Sequence, residues 1–136
     1  MVTYVLDSSA VLRYLHDQAG SDRIAEILTG HLAGNCQAMT PAAHWGEIAG
    51  ITYKLYGKGE MEQVLLRLGA FGLQVVAADG VSAVRAALIK ADTGLPYLDA
   101  FGVELAAREL NRVLVTADFD FKVAKRDITI EFLPVK

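Results

Sequence analysis

Short runs of strand-forming residues alternate along this chain with longer segments whose apolar positions recur every three or four residues. Val2 to Leu6 reads as a short buried strand, and Asp7 stands at its C-terminal end. Ser8 and Ser9 offer caps for a helix through Val11, Leu12 and Leu15. Ser21 or Asp22 can start a second helix, with Ile24, Ile27 and Leu28 on one face. Gly34 to Met39 is the next strand. Thr40-Pro41, a cap followed by proline in the first turn, opens a helix with Trp45, Ile48, Ala49, Thr52 and Leu55 on one side, ending at Gly57. A helix over Glu60 to Phe71 then makes residues 41 to 71 a helical hairpin.

Leu73 to Ala78 is a further strand, and Asp79 caps a helix running to Lys90. Gly94 and Pro96 punctuate the chain before a helix from Tyr97 to Leu110, where Glu104 and Arg108 sit four residues apart. Val113 to Thr116 is a strand, followed by a short helical turn and a last strand from Ile128 to Leu133. Apolar strands alternating with helices predict an α/β domain around a mostly parallel sheet. With no repeat, low-complexity tract or linker, a single domain over residues 1 to 136 is expected.

Composition narrows the partners. With 136 residues, 53% of them hydrophobic, the chain can bury a substantial core. Acids or bases interrupt every apolar run before it reaches membrane-spanning length. The opening MVTYVLDSSAV has neither a basic start nor a small-residue cleavage pattern, so a cytoplasmic protein is expected. One cysteine, Cys36, excludes an internal disulfide and a cysteine zinc cluster, and is expected to act as a small buried hydrophobe. The net charge of −3 argues against a nucleic-acid partner only until five acids, Asp7, Glu47, Asp99, Asp118 and Asp120, are set aside as metal-site candidates. That leaves 13 bases against 11 acids, which permits a phosphate substrate without a basic stripe to demand one.

Those acids raise the chemical question. The stretch VTADFDF, residues 115 to 121, ends an apolar strand on two mutually repelling carboxylates, each followed by phenylalanine. Sites in open α/β sheets gather beyond the C-terminal ends of strands, near the point where strand order reverses. Asp7 and Asp118 both follow strands and can meet there, while Asp99 lies in the first turn of its helix and Glu47 about two turns into the helix after Pro41. Converging carboxylates raise one another's pKa unless a cation neutralises them. Oxygen donors without cysteine or a histidine set favour Mg2+ or Mn2+. Ser8 and Thr116 place hydroxyls beside the acids, to bind metal-bound water or substrate, and the two phenylalanines are read as anchors beneath the loop. Each acid also has a plainer reading: Asp7 as a helix cap, Asp99 as a favourable charge at a helix N-terminus, Glu47 as a solvated surface residue, and Asp118 and Asp120 as turn residues. The joint arrangement, not any one position, favours a shared site.

VLDSSAVLRYL at residues 5 to 15, LDAFGVELA at 98 to 106 and LVTADFDF at 114 to 121 together resemble the PIN-domain ribonucleases, in particular the small VapC-type toxins of toxin–antitoxin pairs. The resemblance spans essentially the whole chain. It matches Asp7 to the aspartate that closes the family's first strand, Glu47 to the glutamate of a later helix, Asp99-Ala100 to a helix-opening aspartate and small residue, and Thr116, Asp118, Asp120 and Phe121 to a hydroxyl followed by D-x-D-F. It implies a three-layer α/β/α domain with a sheet of about five strands. It also implies Mg2+- or Mn2+-dependent endoribonuclease activity with Asp7, Glu47, Asp99 and Asp118 as metal-binding catalytic residues, supported by Asp120, Ser8 and Thr116. A homodimer and a VapB-like antitoxin, held against the hairpin at 41 to 71, are implied as well.

Among the hairpin's Trp45, Tyr53, Tyr56, Met61, Leu65 and Leu68, most are expected to fill the core, although aromatic and methionine side chains also suit a partner surface. Arg13, Lys54, Lys58, Lys122, Lys125 and Arg126 are candidate phosphate contacts or simply solvated charges, and His16, His31 and His44 lack ligand spacing and receive no catalytic role. A haloacid-dehalogenase phosphatase needs an acid two residues after the first aspartate, where Ser9 stands. A receiver module needs a late lysine whose context is not convincing here. A PIN-like binding module without turnover is the remaining alternative.

Overall fold

The computed structural model describes residues 1–135. Five strands, β1 (Thr3–Leu6), β2 (Gln37–Pro41), β3 (Gln74–Val76), β4 (Arg112–Thr116) and β5 (Thr129–Phe132), form one sheet in the order β3-β2-β1-β4-β5. Every pairing is parallel, so the expected mostly parallel sheet is wholly so among the described residues. Parallel strands need crossovers, supplied by α1 (Ser8–Leu15), α2 (Ser21–Leu32), α3 (Ala42–Tyr56), α4 (Lys58–Ala70), α5 (Gly80–Thr93) and α6 (Tyr97–Ala107). The short 3-10 helix Phe119–Ala124 connects β4 to β5.

Strand alternation divides the core into two layers. Leu6, Ala38 and Val115 join one cluster with Val11, Ile24, Leu28, Ile48 and Leu68 from α1 to α4. Their neighbours Val5, Met39 and Leu114 point to the opposite face and meet Val103 and Leu105 of α6 with Phe121 and Ala124 of the 3-10 helix. Neighbouring strand residues face opposite ways, so both faces need helices, and three layers follow.

Several boundaries move for identifiable reasons. Residue 40 does not cap α3: the Thr40 hydroxyl donates to Leu6 O at 2.7 Å, tying β2 to β1, and Pro41 ends the strand and serves as the helix N-cap. The α3 face that is buried carries His44, Ile48 and Thr52, whereas Leu55 is exposed. Residues 73 to 78 supply only the three-residue edge strand β3. In the hairpin, Leu68 is buried and Trp45 packs on the core, but Tyr53 and Tyr56 face outward. Cys36 is only half-buried. Its thiol touches Ile27 O at 3.5 Å, and burial pushes its pKa up. Glu104 and Arg108 do pair, at 2.8 Å.

The two phenylalanines of the acidic stretch part company. Phe121 is fully buried, whereas Phe119 is 47% exposed and stacks on Phe132 with centroids 5.2 Å apart. Only Phe121 is an anchor beneath the loop. Phe121→Ala is expected to destabilise the fold by about 3–5 kcal/mol in urea titrations, and Phe119→Ala by less than about 1.5 kcal/mol, because its ring already meets water on one side.

Candidate active site

Strand order reverses between β1 and β4, since the chain moves from β1 to β2 on one side and places β4 on the other. Asp7 emerges from β1 at this point, its amide donating to Val115 O at 3.3 Å. Its backbone is extended and it caps α1, one carboxylate oxygen accepting from Ala10 N at 2.9 Å. The Ser9 hydroxyl reaches the same oxygen at 2.8 Å, and the Thr116 hydroxyl donates to the other at 2.5 Å. Thr116 in turn accepts from the Asp118 amide at 3.0 Å, and Ser9 accepts from the Ala117 amide at 2.9 Å. Two hydroxyls therefore clasp the end of β1 to the acidic loop after β4. Within that loop Asp118 accepts from the Asp120 amide at 2.9 Å and starts the 3-10 turn.

Glu47 arrives from α3. The Ser8 hydroxyl donates to its carboxylate, while the Ser8 amide donates to His44 Nδ1 at 3.2 Å and the Ser8 hydroxyl oxygen lies 2.8 Å from the same nitrogen. Asp99 sits in the first turn of α6, behind Pro96, and is half-buried. Ser8 and Thr116 are themselves buried and spend their hydroxyls on carboxylates, so they position the acids rather than offer oxygens to a substrate.

Charge repulsion links Asp99 to each of the other four acids. Burial pushes the Asp7 carboxyl up to about 6 against the pull of its hydrogen bonds to Thr116, Ala10 and Ser9, and Asp99 adds repulsion. Asp99 is also pushed to about 6, first by burial and then by Asp118, Glu47 and Asp120. Keeping Asp7 ionised at neutral pH costs about 3 kcal/mol at 1.36 kcal/mol per unit. Among the described residues, the four ion pairs involve other acids, so no lysine or arginine neutralises this group. No three Asp, Glu, His or Cys side chains among the described residues stand close enough, as placed, to hold an ion. The donor chemistry nevertheless fits a hard divalent cation. The candidate donors are carboxylate oxygens, and a carboxylate has room for about four partners where Asp7 uses three.

The chain's sequence agrees with this architecture. The family model described as "PIN domain" matches residues 4–127. The chain belongs to the PIN-domain family. Its fold is similar to that of VapBC2 from Rickettsia felis, solved bound to a DNA fragment from their promoter, with a TM-score of 0.75 at 14% identity over 98% of this chain and 100% of that one. It is also similar to VapBC from Salmonella typhimurium, solved with bound DNA (TM-score 0.68, 18% identity, 97% and 98% covered). A third likeness is to VapC20 from Mycobacterium tuberculosis, a sarcin-ricin loop cleaving toxin (TM-score 0.66, 15% identity, 96% and 99% covered). At these identities the likeness is one of fold. No curated protein is similar enough in sequence to count as a relative.

Within this PIN fold, Asp7, Glu47, Asp118 and Asp120 each come within electrostatic reach of Asp99, with Asp120 at the exposed margin. The plainer readings of Asp7 and Asp118 hold at the same time, because each caps a helix with one oxygen. Two contributors escaped the sequence reading. Ser9 had a signal in the D-S-S run, as a hydroxyl two residues after a strand-ending acid. His44 had one in lying three residues before Glu47, on the same helix face.

The raised carboxyl pKa values have a stability signature. Asp99 gains its proton more readily in the folded chain, so its ionisation destabilises the fold progressively as pH rises from about 4 to 6 and fully above that. His44, pushed down to about 4 by burial, works in the opposite sense over much of that window, so the effect must be read as a difference. In EDTA, the Tm of Asp99→Asn minus that of the unsubstituted chain is expected near zero at pH 4, positive and growing through pH 6, and level above it. A difference that is flat with pH would contradict the repulsion.

Proposed function

We propose that this PIN-domain chain is a divalent-metal-dependent endoribonuclease that hydrolyses RNA phosphodiester bonds and acts as the toxin of a toxin–antitoxin pair. What supports the reading is the repulsion that links Asp99 to Asp7, Glu47 and Asp118 beside the sheet's switch point, with none of these acids in an ion pair among the described residues. Asp7, Asp99 and Asp118 would hold Mg2+ or Mn2+ directly, with Glu47 holding the ion or its water. When bound, such an ion lowers the pKa of water and offsets charge on the phosphate oxygens during in-line attack at phosphorus. The protein's own part is positioning. Thr116 and Ser9 fix Asp7 against the acidic loop, and Ser8 fixes Glu47. Phe119, half-exposed between Asp118 and Asp120, offers a ring face on which an unstacked base can lie. Lys122, exposed on the following turn, would meet backbone phosphates, while Arg13 directs its Nη1 to Ala19 O and Pro134 O.

The alternative, a PIN-like binding module without turnover, draws on the open spacing of the acids as placed. Turnover separates the two. Asp7→Asn is expected to fold and to lose at least about 100-fold in Mn2+-dependent cleavage of a structured-RNA panel, since even residues behind metal ligands are worth 10- to 100-fold. Normal turnover by the folded variant would contradict the assignment.

A groove of about 310 Å3 between α1, α3 and α4, lined by Leu15, Thr52, Tyr56, Val64 and Arg67, supports a VapB-like antitoxin as partner. Exposed Val81, Val84 and Leu88 along α5 support a homodimer. Co-expression with the product of the adjacent small reading frame is expected to give a complex that loses RNA cleavage, read by co-purification and activity. Failure to co-purify would remove the antitoxin from the reading.

A further inference from the structure

His44 is wholly buried on α3, three residues before Glu47, and does not belong to the set of acids. Its surroundings determine which nitrogen carries the proton. Ser8 is the first residue of α1, and its amide is one of the helix-opening donors that have no partner within the helix. That amide points at His44 Nδ1 from 3.2 Å, and a fixed N–H needs a bare acceptor, so the ring proton lies on Nε2. Among the described residues, Nε2 has no partner and lies under Gly102, 3.5 Å from where a Cβ there would stand. The ring is therefore not held by that nitrogen, and its polar attachment is through Nδ1 alone.

The Ser8 hydroxyl has a single proton and two acceptors in range, Nδ1 at 2.8 Å and the Glu47 carboxylate. With the Nδ1 lone pair taken by the amide, the proton goes to the ionised partner, where the bond is stronger. We infer that His44 is a positioning residue: as the neutral Nε2–H tautomer it pins Ser8 so that the Ser8 hydroxyl holds Glu47 toward the other acids. This rests on the nuclease reading for its consequence and on geometry alone for its mechanism. Burial keeps the ring neutral at physiological pH, consistent with that role.

Two variants at one position separate positioning from core filling. Asparagine can place its carbonyl oxygen where Nδ1 lies but leaves volume empty, whereas phenylalanine keeps the volume and lacks the acceptor. Positioning predicts that His44→Phe lowers kcat about 10- to 100-fold and weakens Mn2+ affinity by calorimetry, with KM for RNA unchanged, while His44→Asn stays within about threefold. Ser8→Ala should reproduce the loss, and adding it to His44→Phe should cost little more. Core filling predicts the reverse order, and a normal His44→Phe overturns the inference. Should His44→Phe fail to fold, nitrogen NMR of the unsubstituted chain still decides: Nε2 protonated and Nδ1 bare is expected, and the other tautomer or an imidazolium at neutral pH overturns it. An unsubstituted chain that neither binds Mn2+ nor cleaves RNA would defeat the nuclease reading instead, leaving the tautomer and the Glu47 carboxyl signal in the His44 variants to judge this one.

Discussion

The bond between Thr116 and Asp7 joins the ends of two adjacent parallel strands, and most of what this molecule offers chemically depends on it. Asp7 is 2% exposed, and a carboxylate so placed would not stay charged without donors. Three reach it: a helix-opening amide, the Ser9 hydroxyl and the Thr116 hydroxyl. They do not cancel the effect of burial, which still pushes the carboxyl up to about 6. Its donors hold the carboxylate in place while burial continues to disfavour its charge.

The same side chains build the fold and the site. Asp7 and Asp118 each cap a helix with one oxygen while their charge remains in the shared field. Pro41 ends β2 and opens α3, which fixes where Glu47 and His44 appear relative to β1. Phe121 fastens the acidic loop to the core layer formed with Val103 and Leu105 of α6. The candidate acids are consequently carried by the end of β1, the bodies of α3 and α6 and the tight turn after β4, regular elements that hold side chains more precisely than open loops do.

Membership of the PIN family and likeness to VapBC structures bear differently on what the chain does. The family model covers the segment that contains all five acids and both clasping hydroxyls. The structural neighbours, at 14–18% identity, share the chain's fold and few of its residues. A fold does not by itself choose a substrate; exposed side chains, among them Phe119 and Lys122 here, differ between proteins that share an arrangement of strands.

Apolar strand runs, helical periodicity and strand-ending acids in the sequence determined an α/β fold, the order of its elements and the identity of the acids. These features are local, and their physics is carried by residues a few positions apart. The misplaced details all depend on contacts across the chain. Thr40 leaves its cap for Leu6 O, residues 73 to 78 shrink to an edge strand, and Phe119 turns outward onto Phe132. His44 gains a role only because α3 lies against the start of α1, 36 residues away in sequence. Which hydroxyl serves which carboxylate, and how far burial raises each pKa, was decided by tertiary packing, because hydrogen-bond distance and solvent exclusion are properties of neighbours in space.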